Sequence, residues 1–406
     1  MERNLRLYPL YLAARNLLFW LPVFFLYFSS VLPVDQVLLL EAAYYAGVVL
    51  FEVPSGYFSD RVGRRPTLLI AAGATAAASV VFTTTASFGS FLVAQLLLAV
   101  GMAFNSGTDS SLLYDTLLAR GRAAEFARRE GEAHSWAFLA LGGAALGGGL
   151  LAGFELRAAY AASALAALAT LAVAWGFREP PVAGARAERP LRQLGAVGAR
   201  LRQPVLAWIF AFAVAMTVFN HVPYEFFQPY LAFLFTSPGA EYAVTPLVSG
   251  ILVAGMMGIS AWVSRRAAGA RERFGSAGTL LAAMLLQGAV IGGMALVVHP
   301  AILALILLRS VPMALSRPVQ DAEVHPRVPS GLRATYLSVQ SLAGRLAFAG
   351  ALAISAWATR DLGQLTPASM ARVLGGFAAV LVVTFLALAA ARRALQTPVD
   401  GCPDPS

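Results

Sequence analysis

Twelve apolar runs follow one another along this chain, each about as long as a bilayer is thick, with only short polar breaks between them. They cover residues 7–30, 36–59, 66–86, 88–118, 130–153, 156–177, 204–236, 241–265, 275–298, 300–324, 331–358 and 366–391. A helix needs about 20 apolar residues to cross the hydrocarbon core. In that core each backbone polar group must be satisfied internally, which leaves only helices and closed barrels. The runs are rich in Ala and Leu and lack the period-2 alternation of barrel strands. Charged residues make up 13% of the chain against 58% hydrophobic, too few to cover a soluble surface of 406 residues. The expectation is an all-α polytopic membrane protein with 12 transmembrane helices.

The basic residues are all arginine, and they cluster at 3 and 6, 61–65, 120–129, 178–202, 265–273, 327–333 and 392–393. These are the N-terminus, alternate loops and the C-terminus, so both termini are expected in the cytoplasm. The net charge of +9 then reads as a topology signal and an attraction to anionic headgroups, with no nucleic-acid partner. The single cysteine, Cys402, lies in the polar tail and excludes an intramolecular disulfide or a Cys-based metal site. His134, His299 and His325 fall at span ends. No metal-ligand spacing, phosphate loop or acyl-transfer set occurs, so no metal, cofactor or enzymatic activity is expected. The first run lacks a small-residue cleavage site and reads as a retained helix.

Between the second and third runs lies Gly56-Tyr57-Phe58-Ser59-Asp60-Arg61-Val62-Gly63-Arg64-Arg65. Gly-x-x-x-Asp-Arg-x-Gly-Arg-Arg in this place resembles the loop between helices 2 and 3 of the major facilitator superfamily of secondary transporters. Glu52-Val53-Pro54-Ser55-Gly56, Gln228-Pro229-Tyr230-Leu231 and Arg333-Ala334-Thr335-x-Leu337-Ser338 are similar to a bacterial, largely efflux-type branch. The fourth run carries no arginine between Gln95 and Gly101, and the fifth lacks a Gly-Pro pair, both departures from the proton-antiporter pattern.

The resemblance implies two pseudo-symmetric six-helix bundles with the site between them. The expected boundaries are a first bundle at 1–177, a cytoplasmic linker at 178–203, a second bundle at 204–395 and a tail at 396–406. The linker carries Pro180, Pro181, Gly184 and Pro190 among its arginines. A faint repeat agrees: Asp60-Arg61-Val62-Gly63 is echoed by Glu272-Arg273-Phe274-Gly275, at an offset of 272 − 60 = 212 residues.

The resemblance makes Gly56, Asp60, Arg61, Gly63, Arg64 and Arg65 a gating motif, with Asp115 as third charge and the start of helix 11 near Ser330 and Gly331 as a further partner. The plain alternative is topology and packing: arginines anchor the loop and glycines permit its turn. Ionisable residues inside spans are functional candidates by default. Helix 2 aligns Glu41, Tyr45, Val48 and Glu52, and helix 4 aligns Gly101, Asn105 and Asp109. In the family, helices 1, 4, 7 and 10 line the cavity. That selects Arg15, Asn105, Asp109, Glu225 and Arg309, joined by His221 and by Arg345 of helix 11. Asp109, then Glu52, then Glu225 are the proton-coupling candidates. Asp109 could instead simply pair with Arg15, and Arg309 and Arg345 could serve as counter-ions to Glu225.

The expected function is secondary active transport by alternating access. First choice is proton-coupled export of a small amphipathic or drug-like molecule by a monomer in the bacterial inner membrane. Import of a small metabolite is the rival, and a receptor that binds without translocating is a third reading.

Overall fold

The computed structural model describes residues 1–181, 190–235, 245–264 and 266–396. Among the described residues the regular structure is entirely helical. The helices are α1 (Glu2–Arg15), α2 (Phe24–Ser29), α3 (Val34–Val62), α4 (Arg64–Thr84), α5 (Phe88–Asn105) and α6 (Thr108–Leu118). Next come α7 (Phe126–Phe154), α8 (Leu156–Trp175), α9 (Pro190–Arg200), α10 (Pro204–Phe235) and α11 (Thr245–Ser264). The last are α12 (Ala267–Leu296), α13 (Ile302–Leu307), α14 (Val311–Arg327), α15 (Ser330–Thr359) and α16 (Pro367–Ala390). Ten stretches among the described residues are long and apolar enough to cross a membrane, and Thr245–Ser260 is a shorter apolar helix. Much of the expected linker, from 182 to 189, and Cys402 in the tail lie outside the described residues.

Three of the expected runs are not single helices. The first breaks at 16–23 between α1 and α2, where the Trp20 amide donates to Ser163 Oγ of α8 at 3.1 Å. The fourth breaks between α5 and α6, where Gly107 takes a left-handed φ of 71°. The tenth breaks at 308–310, just before Pro312 near the start of α14, where its missing N–H is least costly. Helix α10 stays continuous but holds Pro223 and Pro229 in its interior. Window-averaged hydropathy sees none of these interruptions, because the apolar residues on either side outweigh the few at each break.

The chain divides into two compact units. The first comprises Met1–Ala185, Leu231–Ala254 and Leu352–Leu365. Its helices pack through small residues, as membrane bundles do when lipid offers apolar side chains no reason to leave it. Along the seam between α3 and α5, Gln95 meets Glu41, Gly47 lies over Ala99 and Leu96, and Ser55 Oγ donates to the Ala103 carbonyl at 2.9 Å. Tyr27, Phe28, Phe82, Phe91 and Tyr160 form an aromatic cluster, with Tyr27 and Tyr160 centroids 4.5 Å apart. Helices α7 and α11 approach backbone to backbone, Gly149 against Pro246 and Leu247, and Gly250 against the Ala145 carbonyl. Ser249 Oγ donates to the Pro22 carbonyl at 2.6 Å, and the Val34 amide to that of Gly363 at 3.1 Å.

The second unit comprises Arg186–Tyr230, Gly255–Ala351 and Thr366–Ser406. Here buried polar tips hold helix to helix: Trp208 Nε1 donates to the Leu388 carbonyl at 2.9 Å and Tyr336 OH to that of Leu206 at 3.0 Å. Each such bond places an amphipathic ring in the interior with its polar end satisfied.

Candidate functional site

The motif loop is built as a clasp on a helix N-terminus. Gly63 separates α3 from α4 with a φ of 125°, a conformation open to glycine and strained for any other residue. Having no side chain, it leaves the first amides of α4 uncapped, and an acid from elsewhere takes that role. Glu179, just beyond α8, accepts from the Arg64 amide through Oε1 and from the Arg65 amide through Oε2, both at 2.7 Å. A Cβ on residue 63 would come within 2.7 Å of that carboxylate. Negative charge at a helix N-terminus is favoured by the aligned peptide dipoles. Glu179 is itself placed by Asn4, whose buried amide accepts from the Arg178 amide at 2.8 Å and donates to the Arg178 carbonyl at 2.7 Å.

With the backbone so fixed, the Arg64 guanidinium spans three oxygens. Nη1 donates to Asp60 Oδ1 at 2.6 Å and Ser59 Oγ at 2.8 Å, and Nε to Asp115 Oδ2 at 3.2 Å. The Asp60–Arg64–Asp115 set expected from the sequence is thus brought together on α3, α4 and α6. Arg65 instead donates to the Trp175 carbonyl at 3.2 Å, and Arg61 lies over the Tyr57 ring at 5.1 Å. Gly56 has open space around it. The sequence reading does not pick out Glu179 or Asn4. The available signal is an acid flanked by Arg178 and Pro180, which reads only as linker.

The second unit repeats the backbone and inverts the charges. Gly275 again has positive φ, 71°, and Thr279 Oγ1 donates to its carbonyl at 2.8 Å, as Thr67 Oγ1 does to that of Gly63 at 2.6 Å. Both pairs keep the 212-residue offset, 275 − 63 and 279 − 67. Here one carboxylate lies between two arginines: Glu323 of α14 meets Arg271 Nη2 at 2.7 Å and Arg327 Nη1 at 2.6 Å. Ser276, at the position equivalent to Arg64, donates to Glu323 at 2.5 Å. Within the echoed tetrapeptide, only the glycine repeats its local geometry.

Arg15, Asn105, Asp109 and Arg309 lie at the helix breaks, whereas Glu52, His221, Glu225 and Arg345 lie within α3, α10 and α15. In the first unit Arg15 ends α1, Asn105 ends α5 and Asp109 lies in the first turn of α6. Asp109 Oδ2 receives Arg15 Nη1 and Asn105 Nδ2, each at 3.2 Å, and Oδ1 accepts from the Ser110 amide at 2.9 Å. Tyr11 OH completes the chain by donating to Asn105 Oδ1 at 2.6 Å. Beside it is a cavity of about 30 Å³ lined by Arg15, Asn105, Thr75, Ser79, Ser163 and Thr170, room for about one small polar molecule such as water. Asp109 is thus in direct contact with Arg15. Glu52 lies half-buried on α3.

In the second unit Pro223 cannot donate to the Phe219 carbonyl, and Gln287 Nε2 of α12 does so instead at 2.8 Å. That repair sits beside His221, whose Nδ1 is 2.6 Å from the Thr217 carbonyl and whose ring is 4.9 Å from that of Phe348. Glu225 is fully buried between the two prolines. Arg309, in the break between α13 and α14, lies 5.2 Å from the ring centroids of both Tyr224 and Phe227. Such faces attract a guanidinium, more so where water is excluded. Arg345 is half-buried on α15. Discontinuous helices that present free backbone groups beside ionisable side chains are the construction of transporter binding sites.

No match is found among curated protein sequences. Solved structures resemble this chain at low identity, which speaks to fold alone. A single-residue mutant of the nucleoside transporter NupG superposes with a TM-score of 0.80 at 16% identity, over 96% of this chain and 99% of that one. An auto-inhibited POT family peptide transporter gives 0.71 at 14%, over 99% of each chain. A bacterial homologue of the human lysosomal transporter Spinster gives 0.69 at 17%, over 99% of this chain and 98% of that one. The family model of the Major Facilitator Superfamily matches residues 9–352, which take in the clasp, both sets of broken helices and the glycine-marked repeat. On that match, and on a fold it shares with transporters throughout, the chain belongs to the Major Facilitator Superfamily of membrane transporters.

Proposed function

We propose that this transporter works by alternating access, coupled to protons, and exports a small amphipathic molecule across a bacterial inner membrane. The observation that carries the reading is the clasp, in which one guanidinium ties α3, α4 and α6 together while Glu179 fixes the backbone beneath it. A structural loop has no need of so many charges at a membrane-buried junction. Asp60 is 56% exposed at its side chain, so it can exchange partners, whereas Arg64 is largely covered. Asp60, Arg64 and Asp115 act as the cytoplasmic latch, and the bundles at 1–177 and 204–395 move about it as a monomer. Both termini then lie in the cytoplasm, with membrane lipids as the remaining partner.

Proton coupling is supported by the carboxyl of Asp109 at the break between α5 and α6. A proton on Asp109 would weaken its hold on Arg15 and Asn105, joining protonation to the shape of the cavity beside them. Glu52 and Glu225 are the further coupling candidates, and Arg309, Arg345 and His221 complete the substrate cavity in the second unit. Export is supported by the likeness of residues 52–56 to efflux-type sequences. Hydrogen-bonding side chains among the largely apolar walls of the cavity beside Arg15 support a second reading, uptake of a hydrogen-bonding metabolite. One similar structure is that of a D-xylose-proton symporter.

The test is sidedness. Cells expressing the protein are expected to accumulate less of a transported compound, and an uncoupler should remove the difference. Greater accumulation would establish uptake, and binding without flux would establish a receptor. Asp60→Asn is expected to abolish flux at unchanged expression; full flux in that variant would remove the latch.

A further inference from the structure

Glu41 lies on α3, about 10 Å along the helix from its start at Val34. It is 6% exposed and faces α5, where Gln95 Nε2 donates to its Oε1 at 2.7 Å. Gln95 is as deeply buried, and Leu38, Leu40, Ala42, Phe91 and Ala94 are buried around them. The charged groups on neighbouring elements are remote or engaged. Helix α5 has none along its length, and α4 carries only Arg64 and Arg65 at its far end. On α3 itself, Asp35 and Glu52 lie about 9 and 16 Å away along the axis, and both are acids. Helix α2 offers Tyr27, whose hydroxyl donates to the Phe82 carbonyl. Arg360 pairs with Asp361 beside Gly363, the residue whose carbonyl holds Val34.

A carboxylate ion buried against a neutral amide without a cation beside it costs far more than the neutral acid, and among the described residues the polar partner of the Glu41 side chain is Gln95. Asp109 is the contrast, paired with Arg15 and bonded through both oxygens. We infer that Glu41 is a proton-binding site of this transporter, occupied in this conformation and held by Gln95 in the seam between α3 and α5. The proton sits on the carboxyl, and its release leaves a charge that this seam cannot accommodate without opening. Protonation at Glu41 thereby reports on, and biases, the packing of α5 against α3, the helix that carries Asp60 of the clasp near its other end. The assignment of a transport role to that proton rests on the proton-coupled reading above; the site itself does not.

Infrared difference spectroscopy on purified full-length protein in lipid tests the site without any substrate. At neutral pH the wild type is expected to show a protonated-carboxyl band that alkali removes. Glu41→Gln should lose that band, Asp109→Asn should keep it, and Gln95→Leu should shift it to higher frequency as the donated hydrogen bond disappears. No band in the wild type, a band surviving Glu41→Gln, or a band lost in Asp109→Asn would overturn the assignment. Should Glu41→Gln fail to fold, an unshifted band in Gln95→Leu would do so. Gradient-independent transport with the band intact would instead remove the coupling and leave the site standing.

Discussion

At the scale of single residues, acids carry most of what is specific to this chain, and their surroundings separate their roles. Glu179 acts on backbone amides, so its removal strips a cap from α4 and leaves two buried-end donors unpaired. Replacing Glu179 by Ala is expected to cost about 1 kcal/mol, the usual worth of an N-terminal cap. Asn4→Ala should reproduce part of that loss at a distance, because it frees the Arg178 peptide that positions the acid. Thermal melting of the two variants and their combination checks this. The double variant should lose less than the sum of the singles, and strict additivity would show that Asn4 does not act through Glu179. Asp109 and Arg15 form a pair of another kind. Removing one partner leaves an uncompensated charge in a covered place, worth about 3–5 kcal/mol where burial is complete. Arg15 keeps 32% of its side chain exposed, so the expected loss lies well below that range. Asp109→Asn should therefore destabilise more than Asp109→Asn combined with Arg15→Gln, and the reverse order would show that the pair contributes nothing.

At the scale of elements, helix crossings depend on a few positions where a methyl group has nowhere to go. A Cβ on Gly148 would collide with the Phe19 carbonyl in the α1–α2 break, whereas Gly143, five residues earlier on the same helix, has nothing within 4 Å. Gly148→Ala is expected to lower the melting temperature. Gly143→Ala should be neutral or stabilising, by up to about 1 kcal/mol from helix propensity. Equal effects would mean that α7 does not rest on the break. The sequence pattern could announce neither contact. Hydropathy reveals one stretch of high average hydropathy over residues 88–118, but a window average cannot register that Gly107 turns left-handed and divides it. The Arg-rich loop was legible because its spacing is a local property of ten residues. Glu179 was not, because it reaches the loop from 115 residues away. Gln287 was equally hidden, since only the fold reveals that it supplies the donor Pro223 lacks. Gln287→Leu is expected to leave the Phe219 carbonyl unsatisfied and destabilise by about 1–3 kcal/mol, measured by melting against the isosteric Gln287→Glu.

At the scale of the whole molecule, one backbone device occurs twice with opposite charge. Gly63 and Gly275 share positive φ and a threonine bond back to the glycine carbonyl, yet the first clasp places an arginine between acids and the second an acid between arginines. Both clasps belong to Arg-rich loops, and the distribution of arginine predicts one side of the membrane for both. Arginines recur in alternate connections and at both ends of the chain, while the opposite connections hold little beyond Arg157 and Arg360. Near an anionic leaflet each such residue is worth about 1 kcal/mol, so turning the protein over would forfeit most of that attraction. The chain supplies its own probe of the result, because Cys402 is its one cysteine and follows the last arginine pair by nine residues, 402 − 393. A membrane-impermeant maleimide should label the unmodified protein in inverted vesicles and leave it unlabelled in intact cells, with Cys402→Ser abolishing the signal. Labelling in intact cells would place the C-terminus outside. It would carry both clasps with it, since an even number of crossings separates each Arg-rich loop from the tail in the arrangement the arginines imply.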